Sequence, residues 1–228
     1  MPSPQLTRAS SRDAILRVFA ELVAKQGFSD TSLSAVADAL GLSKGTIVHH
    51  FGSKDQILRE VFDAYYARRS AEIEFIEREM EDPVRQIAAV IYALMAAHRD
   101  DRDCTQSFMR EFSRFADDGL PGEHLRRRNQ WMDGTVRVIE RGIAKGLFQT
   151  KDATLTALHI FGMCNYAWTW YQPDGRLSIE EIATGFTRDV LLGMCQVESD
   201  AAAHVEAAID NAIATVREIP GRLPTSAG

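Results

Sequence analysis

The chain has 228 residues, 26 of them Lys or Arg and 32 Asp or Glu, and its formal net charge is -6 with 45% hydrophobic residues, the make-up of an ordinary soluble globular protein. No run of about eighteen apolar residues is present to span a bilayer, and Arg8, Arg12 and Asp13 break the start where a secretory signal would be apolar, so a cytoplasmic location and no membrane partner are expected. Cys104, Cys164 and Cys195 are odd in number and far apart, which argues against a disulfide framework or a CxxC metal clip and predicts reduced, buried thiols.

Helical spacing dominates from the first element. Ile15, Leu16, Phe19, Leu22 and Val23 recur on one face between Asp13 and Gln26, and Gly27 stops that segment as a C-terminal cap would. A second helix is expected from Ser32 to Leu40. Gly41 and Leu42 form a turn, Ser43 is placed to cap a third helix, and Phe51-Gly52 ends it. Ser53 can cap a long fourth helix that starts at Lys54 and carries Ile57, Leu58, Val61, Phe62, Tyr65 and Tyr66. Further helices are expected at 83–99, 103–117, 121–146, 151–171, 178–195 and 200–217, punctuated by Pro83, Pro121, Gly146 and Pro173, with no stretch that alternates as a strand would. The residues before Thr7 and the tail from Pro220 are expected to be disordered.

The segment ALGLSKGTIVHH, Ala39 to His50, has the parts of a helix-turn-helix: small residues where two helices meet, apolar anchors at Leu40, Leu42 and Ile47, and a polar start to the second helix. The free N–H groups of that helix start, with Lys44 beside them, suit a phosphate or a base edge. Gly45 inside a short helix costs about 1 kcal/mol relative to alanine, which makes sense where a side chain would hold the helix off the groove. Adjacent His49 and His50 diverge by about 100° around a helix, so they are not expected to chelate one metal ion. Charge agrees with DNA contact by the head alone: residues 1–54 hold six basic and four acidic side chains, a net of +2, which leaves -8 for the rest.

The stretch GFSDTSLSAVADALGLSKGTIVHHFGSKDQIL, Gly27 to Leu58, resembles the DNA-binding signature of the TetR-like family of bacterial transcription regulators over its full length. The resemblance implies phosphate contacts from Thr31 and Ser32, with capping of a helix an equal and compatible role for Thr31, a groove-facing set of Ser43, Lys44, Gly45, Thr46 and His49 with Thr46 and His49 nearest base edges, and phosphate contacts from His50 and Lys54. Val48 stands where the family commonly has a tyrosine, so one aromatic phosphate contact is expected to be missing.

The segments ERGIAKGLFQTKDA, Glu140 to Ala153, and WYQPDGRLSIEEIA, Trp170 to Ala183, resemble the subgroup of that family that answers to fatty or steroid-derived acyl-CoA thioesters. The subgroup often places arginines near the WY segment; here Thr169 and Gln172 stand there, and Arg176 with the run Arg126, Arg127 and Arg128 are the basic candidates. Aromatic and methionine side chains suggest a pocket lined by Met95, Phe108, Met109, Phe112, Trp131, Met163, Tyr166 and Trp170, with His98 and His159 able to orient a polar group. For each of these, packing in a core is the competing explanation.

A single short reading helix makes too few contacts for a selective site, so a homodimer on a palindromic operator is expected. The resemblance implies a four-helix bundle of residues 151–171 and 178–195 with their mates, for which Ile160, Ala167, Phe186, Val190 and Leu191 are interface candidates. The helix at 200–217 extends beyond the usual family length and could either thicken that interface or cover the pocket.

The expected protein is therefore all-α: a helix-turn-helix head over residues 1–54, a ligand-binding and dimerisation body over 55–219 joined through the long helix, and a tail over 220–228. Its expected function is a DNA-binding repressor released from its operator by a small effector, an acyl-CoA or another apolar or aromatic compound. No cofactor or metal is implied. A helical enzyme finds no support in a nucleophile elbow, a phosphate-cradling loop or an HExxH set, and the polar residues at 43, 44, 46 and 49 count against a protein-binding adaptor.

Overall fold

The computed structural model describes residues 8–117, 122–195 and 201–218, with side chains described for 11–112, 130–195 and 203–218. Ten α-helices occur among these residues: α1 (Arg8–Gln26), α2 (Leu33–Leu40), α3 (Lys44–Phe51), α4 (Lys54–Glu79), α5 (Pro83–Asp100), α6 (Arg102–Asp117), α7 (Gly122–Ala144), α8 (Ala153–Asn165), α9 (Ile179–Met194) and α10 (Ala201–Arg217). The architecture is all-α, as expected, and the one β-type contact among the described residues is an isolated bridge between Phe148 and Cys195. The residues before Thr7 and the tail at 220–228 lie outside the described residues.

Local chemistry explains the boundaries. Asp82 caps α5 by accepting from the Val84 N–H at 3.0 Å, with Pro83 at the first helical position. Asp152 caps α8, and Ser178 with Glu181 forms a reciprocal capping box at α9. Two elements differ from expectation. The first helix begins at Arg8 and not at Asp13, since no glycine or proline interrupts residues 8–12. The segment expected to stay helical to residue 171 leaves the α form at Asn165 and tightens into a 3-10 turn, Tyr166–Thr169, ahead of Pro173.

Two compact units result. Unit 1 contains residues 1–67 and 102–121; unit 2 contains 68–101 and 122–228, so α4 contributes its first part to one and its remainder to the other. Unit 1 is larger than a head of residues 1–54 because the sequence-distant α6 packs along α1. Its core joins Ile15, Phe19, Val23, Phe28, Val36, Ile47, Phe51, Ile57, Leu58 and Val61 to Phe108 of α6. Phe108 stacks on Tyr65 at 4.2 Å and meets Phe62 and Tyr66 edge-on at 4.9 and 5.1 Å, contacts that add to the area they bury.

Unit 2 is built around α5. From Val84 to His98 this helix is buried on nearly every side, which is why it is apolar all round. Helices α7, α8, α9 and α10 surround it, and each large side chain it buries, such as Ile87, Ile91 and Met95, contributes roughly 1.5–3 kcal/mol. Helix α10 lies against α5 and α9 through Val205, Ala208, Ile209, Ala212 and Val216. Arg99 ties the same region together by donating to Asp100 and to Glu180, whose carboxylate also accepts from the Tyr92 hydroxyl. Of the three thiols Cys164 is fully buried, and that burial pushes it up from its ordinary pKa; Cys104 and Cys195 are half-buried rather than enclosed, the former reaching the Val61 carbonyl.

Candidate DNA-binding surface

Helices α2 and α3 are joined by a three-residue turn that depends on Gly41. Its φ of 63° is left-handed, a conformation a side chain resists, and its N–H and that of Leu42 return to carbonyls at the end of α2. Ser43 then caps α3: its Oγ accepts from the Thr46 N–H at 3.0 Å and is hydrogen-bonded to the Thr46 hydroxyl at 2.8 Å. Ile47 and Phe51, four residues apart, are buried and fasten α3 to the core. That leaves Lys44, Gly45, Val48 and His49 pointing outward, with Thr46 and His50 half-buried beside them.

Gly45 has no internal reason to be glycine. Its φ is not positive, and a Cβ there would meet nothing closer than Ser43 Oγ at 3.6 Å. The outer face is bare by residue type and not by crowding.

The C-terminal end of α3 is held by Arg12 of α1. Its guanidinium donates to the His50 carbonyl at 2.8 Å and to Glu60, and lies 4.3 Å from the Phe51 ring centroid. A cation placed against the negative end of the α3 dipole is favourable there.

Two expected phosphate contacts are placed otherwise. Thr31 is 1% exposed and its hydroxyl donates inward to the Gly27 carbonyl at 2.8 Å, so it cannot reach a backbone outside. Lys54 turns inward as well: its ammonium donates to the carbonyls of Phe28, Ser29 and Thr31 at 2.7, 3.3 and 2.9 Å and sits 4.2 Å from the Phe28 ring centroid. Three donors are thereby taken, which makes Lys54 a brace for the turn between α1 and α2. Ser32 is exposed and caps α2 by accepting from Ala35. Val48, expected only to lack an aromatic phosphate contact, is 41% exposed on the outer face, at an i+4 spacing from Lys44 that is legible in the sequence.

Residues 15–61 match the family described as "Bacterial regulatory proteins, tetR family", and residues 80–194 match "Tetracyclin repressor-like, C-terminal domain". The chain belongs to the TetR family. Among its relatives, the HTH-type transcriptional repressor KstR2 of Mycolicibacterium smegmatis is 26% identical over 197 residues, covering 84% of this chain and 94% of that protein. The ketosteroid transcriptional regulator KstR2 of Mycobacterium tuberculosis has a solved structure similar at a TM-score of 0.76, with 23% identity over 84% of this chain and 98% of that one. AibR, solved in complex with isovaleryl coenzyme A and operator DNA, is similar at a TM-score of 0.71 with 22% identity, covering 77% and 95%. This TetR-family chain is a transcriptional repressor and not an enzyme. No helix among its described residues is long and apolar enough to cross a membrane.

The structure places the effector and partner candidates of the sequence in several separate positions. Met95 and Trp131 are buried in unit 2 with Met163 packed against the same cluster, and Trp131 meets Phe161 edge-on at 4.8 Å. Phe108, Met109 and Phe112 do not join them, because Phe108 and Met109 pack in the core of unit 1 and Phe112 lies beside Phe108 at 5.4 Å. Tyr166 and Trp170 are exposed. His98 is buried, paired through Nε2 with the Cys164 carbonyl at 3.0 Å, and burial pulls its pKa from 6.5 down to about 4; His159 is on the outside. Arg176 is exposed, and the side chains of Arg126, Arg127 and Arg128 lie outside the described residues.

The interface candidates also move. Ile160, Ala167, Val190 and Leu191 face the interior of this chain's own core, and Phe186 packs against it from the side, 6.3 Å from Trp170. The apolar residues that α8, the 3-10 turn and α9 present outward are Leu155, Leu158, Tyr166, Trp170 and Leu192.

Proposed function

We propose that this repressor acts in the cytoplasm as a homodimer on a palindromic operator, one α3 per half-site, and that a fatty acyl-CoA or related lipid bound within unit 2 releases it. The observation that carries the DNA reading is the sorting of α3, with Ile47 and Phe51 inward and Lys44, Gly45, Val48 and His49 outward. In a major groove Lys44 and His50 hold phosphates, Thr46 and His49 take base edges, and the Val48 methyls suit the methyl of a thymine. Lys54 and Thr31 serve the head from inside.

A second copy is the partner that fits the outward line of Leu155, Leu158, Tyr166, Trp170 and Leu192. Large apolar side chains left exposed on neighbouring elements suit burial against a partner, and two reading heads need a two-fold pairing. The effector reading draws on AibR, whose solved complex holds isovaleryl coenzyme A and operator DNA. It draws also on Trp131, whose buried indole N–H has no acceptor among the described residues. A thioester carbonyl is such an acceptor, and Met95, Met163 and Phe161 would suit the acyl chain.

The test is fluorescence anisotropy with a labelled duplex that the repressor selects from a randomised pool, titrated with protein and then with acyl-CoAs of graded chain length. Release by one chain-length class, weakened in Trp131→Phe, supports the reading. Selective binding that no acyl-CoA disturbs keeps the repressor and removes this effector class in favour of another apolar or aromatic compound.

A further inference from the structure

The turn between α1 and α2 is gripped from two directions. Its carbonyls at Phe28, Ser29 and Thr31 go to Lys54, the first residue of α4. Its other groups go to α6. Glu111 Oε1 accepts from the Phe28 N–H at 2.9 Å, a bond across 83 positions of sequence. Arg110 donates to the Ala24 carbonyl at 2.9 Å and to the Lys25 carbonyl at 3.4 Å, at the end of α1. The pair is matched to what the turn leaves open: a cation on the last carbonyls of a helix, an anion on the Phe28 N–H, the next one after the Gly27 N–H that returns to Val23. Between them sits Gly27, whose φ of 87° reverses the chain.

This turn decides how α2 leaves α1. Phe28 and Thr31 are buried at its two ends, and Ser32 caps α2 immediately after it. Helix α3 then follows through the Gly41 turn, so the direction of the reading helix depends on this reversal. Helix α6 is itself seated by Phe108 among Tyr65, Tyr66 and Phe62, one helical turn before Glu111. A single residue, Asp101, separates its start from the end of α5.

We propose that Arg110 and Glu111 are positioning residues for operator binding, a clasp through which α6 holds the α1–α2 turn in the form that lets α3 enter the groove. Neither touches DNA. Losing the clasp lowers the fraction of molecules whose head is competent, and the apparent operator affinity falls by that fraction. Binding to random DNA, which depends on basic charge more than on the angle of α3, is affected far less. The proposal rests on the groove reading of α3, and its test separates the two.

Glu111→Ala, Glu111→Gln and Arg110→Ala are compared with the unaltered repressor. Three readouts are taken: affinity for the selected duplex, affinity for a random duplex of equal length, and amide hydrogen exchange of Phe28 and the α2 residues without DNA. Glu111→Ala should bind the selected duplex about tenfold more weakly and random duplex within about twofold of the unaltered protein, with faster exchange at Phe28. Glu111→Gln keeps an acceptor oxygen and should restore most of both. Arg110→Ala, which leaves the Phe28 bond in place, should fall between. An unchanged selected-duplex affinity in Glu111→Ala, an equal loss on both duplexes, or a Glu111→Gln as weak as the alanine variant overturns the clasp. If the unaltered protein selects no duplex, the groove reading fails instead, and exchange at Phe28 still decides whether α6 holds the turn.

Discussion

Helices α3 and α8 make an instructive pair. In α3 the large apolar residues that face inward, Ile47 and Phe51, share one side, and the opposite side is polar or small except for Val48. In α8 both sides are apolar: Ala157, Ile160 and Cys164 face the core, while Leu155 and Leu158 face out. A helix with one apolar side declares its buried face in the sequence; a helix with two does not, because periodicity reports that residues share a side and not which side meets what. The interface residues named for this region, Ile160 and Ala167 among them, belong to the inner side for that reason.

The sharpest way to break this contrast is to remove a side chain from each side of α8. Ile160→Ala should destabilise the protein by about 2–5 kcal/mol, while Leu155→Ala, at a position 65% exposed, should change the stability of the single chain by less than about 0.5 kcal/mol. Urea unfolding at low protein concentration reads both. Equal effects would remove the contrast, and a larger loss in Leu155→Ala would mean that the two sides are exchanged.

The interior of the same unit should also show a pH signature. Burial holds His98 at about 4, below its ordinary 6.5, so between those values the unfolded chain binds the extra proton and the native one does not. Stability from this group is therefore complete above about pH 6.5 and declines as pH falls toward 4, by on the order of 3 kcal/mol over the window. Denaturation midpoints of the unaltered protein at pH 7 and pH 5, set against those of His98→Gln, isolate the contribution; parallel declines in both would assign it elsewhere.

On the outer side, Leu158→Arg should leave a folded monomer and weaken self-association by about 2 kcal/mol, roughly 30-fold, in sedimentation velocity. A dimer that tolerates it would move the pairing surface off α8. The smallest effect belongs to α3. Gly45→Ala should strengthen the helix by up to about 1 kcal/mol, since nothing inside the chain crowds a Cβ there, and yet weaken binding to the selected duplex by about fivefold. Stronger folding with unchanged DNA affinity would mean the groove does not approach this position.

Much of the head was legible because its determinants are local. Gly41, Ser43 and Ser53 act within a few residues of themselves, and the caps and turns they predict are the ones formed. Other placements depend on partners distant in sequence. Lys54 and Thr31 look like phosphate ligands as residue types near a helix start, and only the folded turn shows that carbonyls 23 to 26 positions away take the ammonium and that the Gly27 carbonyl takes the hydroxyl. Phe108 and Met109 look like pocket residues until α6 is seen to pack along α1.

By itself, then, the sequence determined the all-α class, the order and ends of nearly every helix, and the helix-turn-helix with its polar outward start, since each follows from spacing, caps and turns that operate over one or two helical turns. Tertiary structure alone decided that α6 belongs with the head, which side of α8 and α9 is inside, and that α10 lies on α5 and α9. Those outcomes depend on which apolar faces from separate parts of the sequence find each other, and an apolar residue carries no record in its own neighbourhood of the face it will meet.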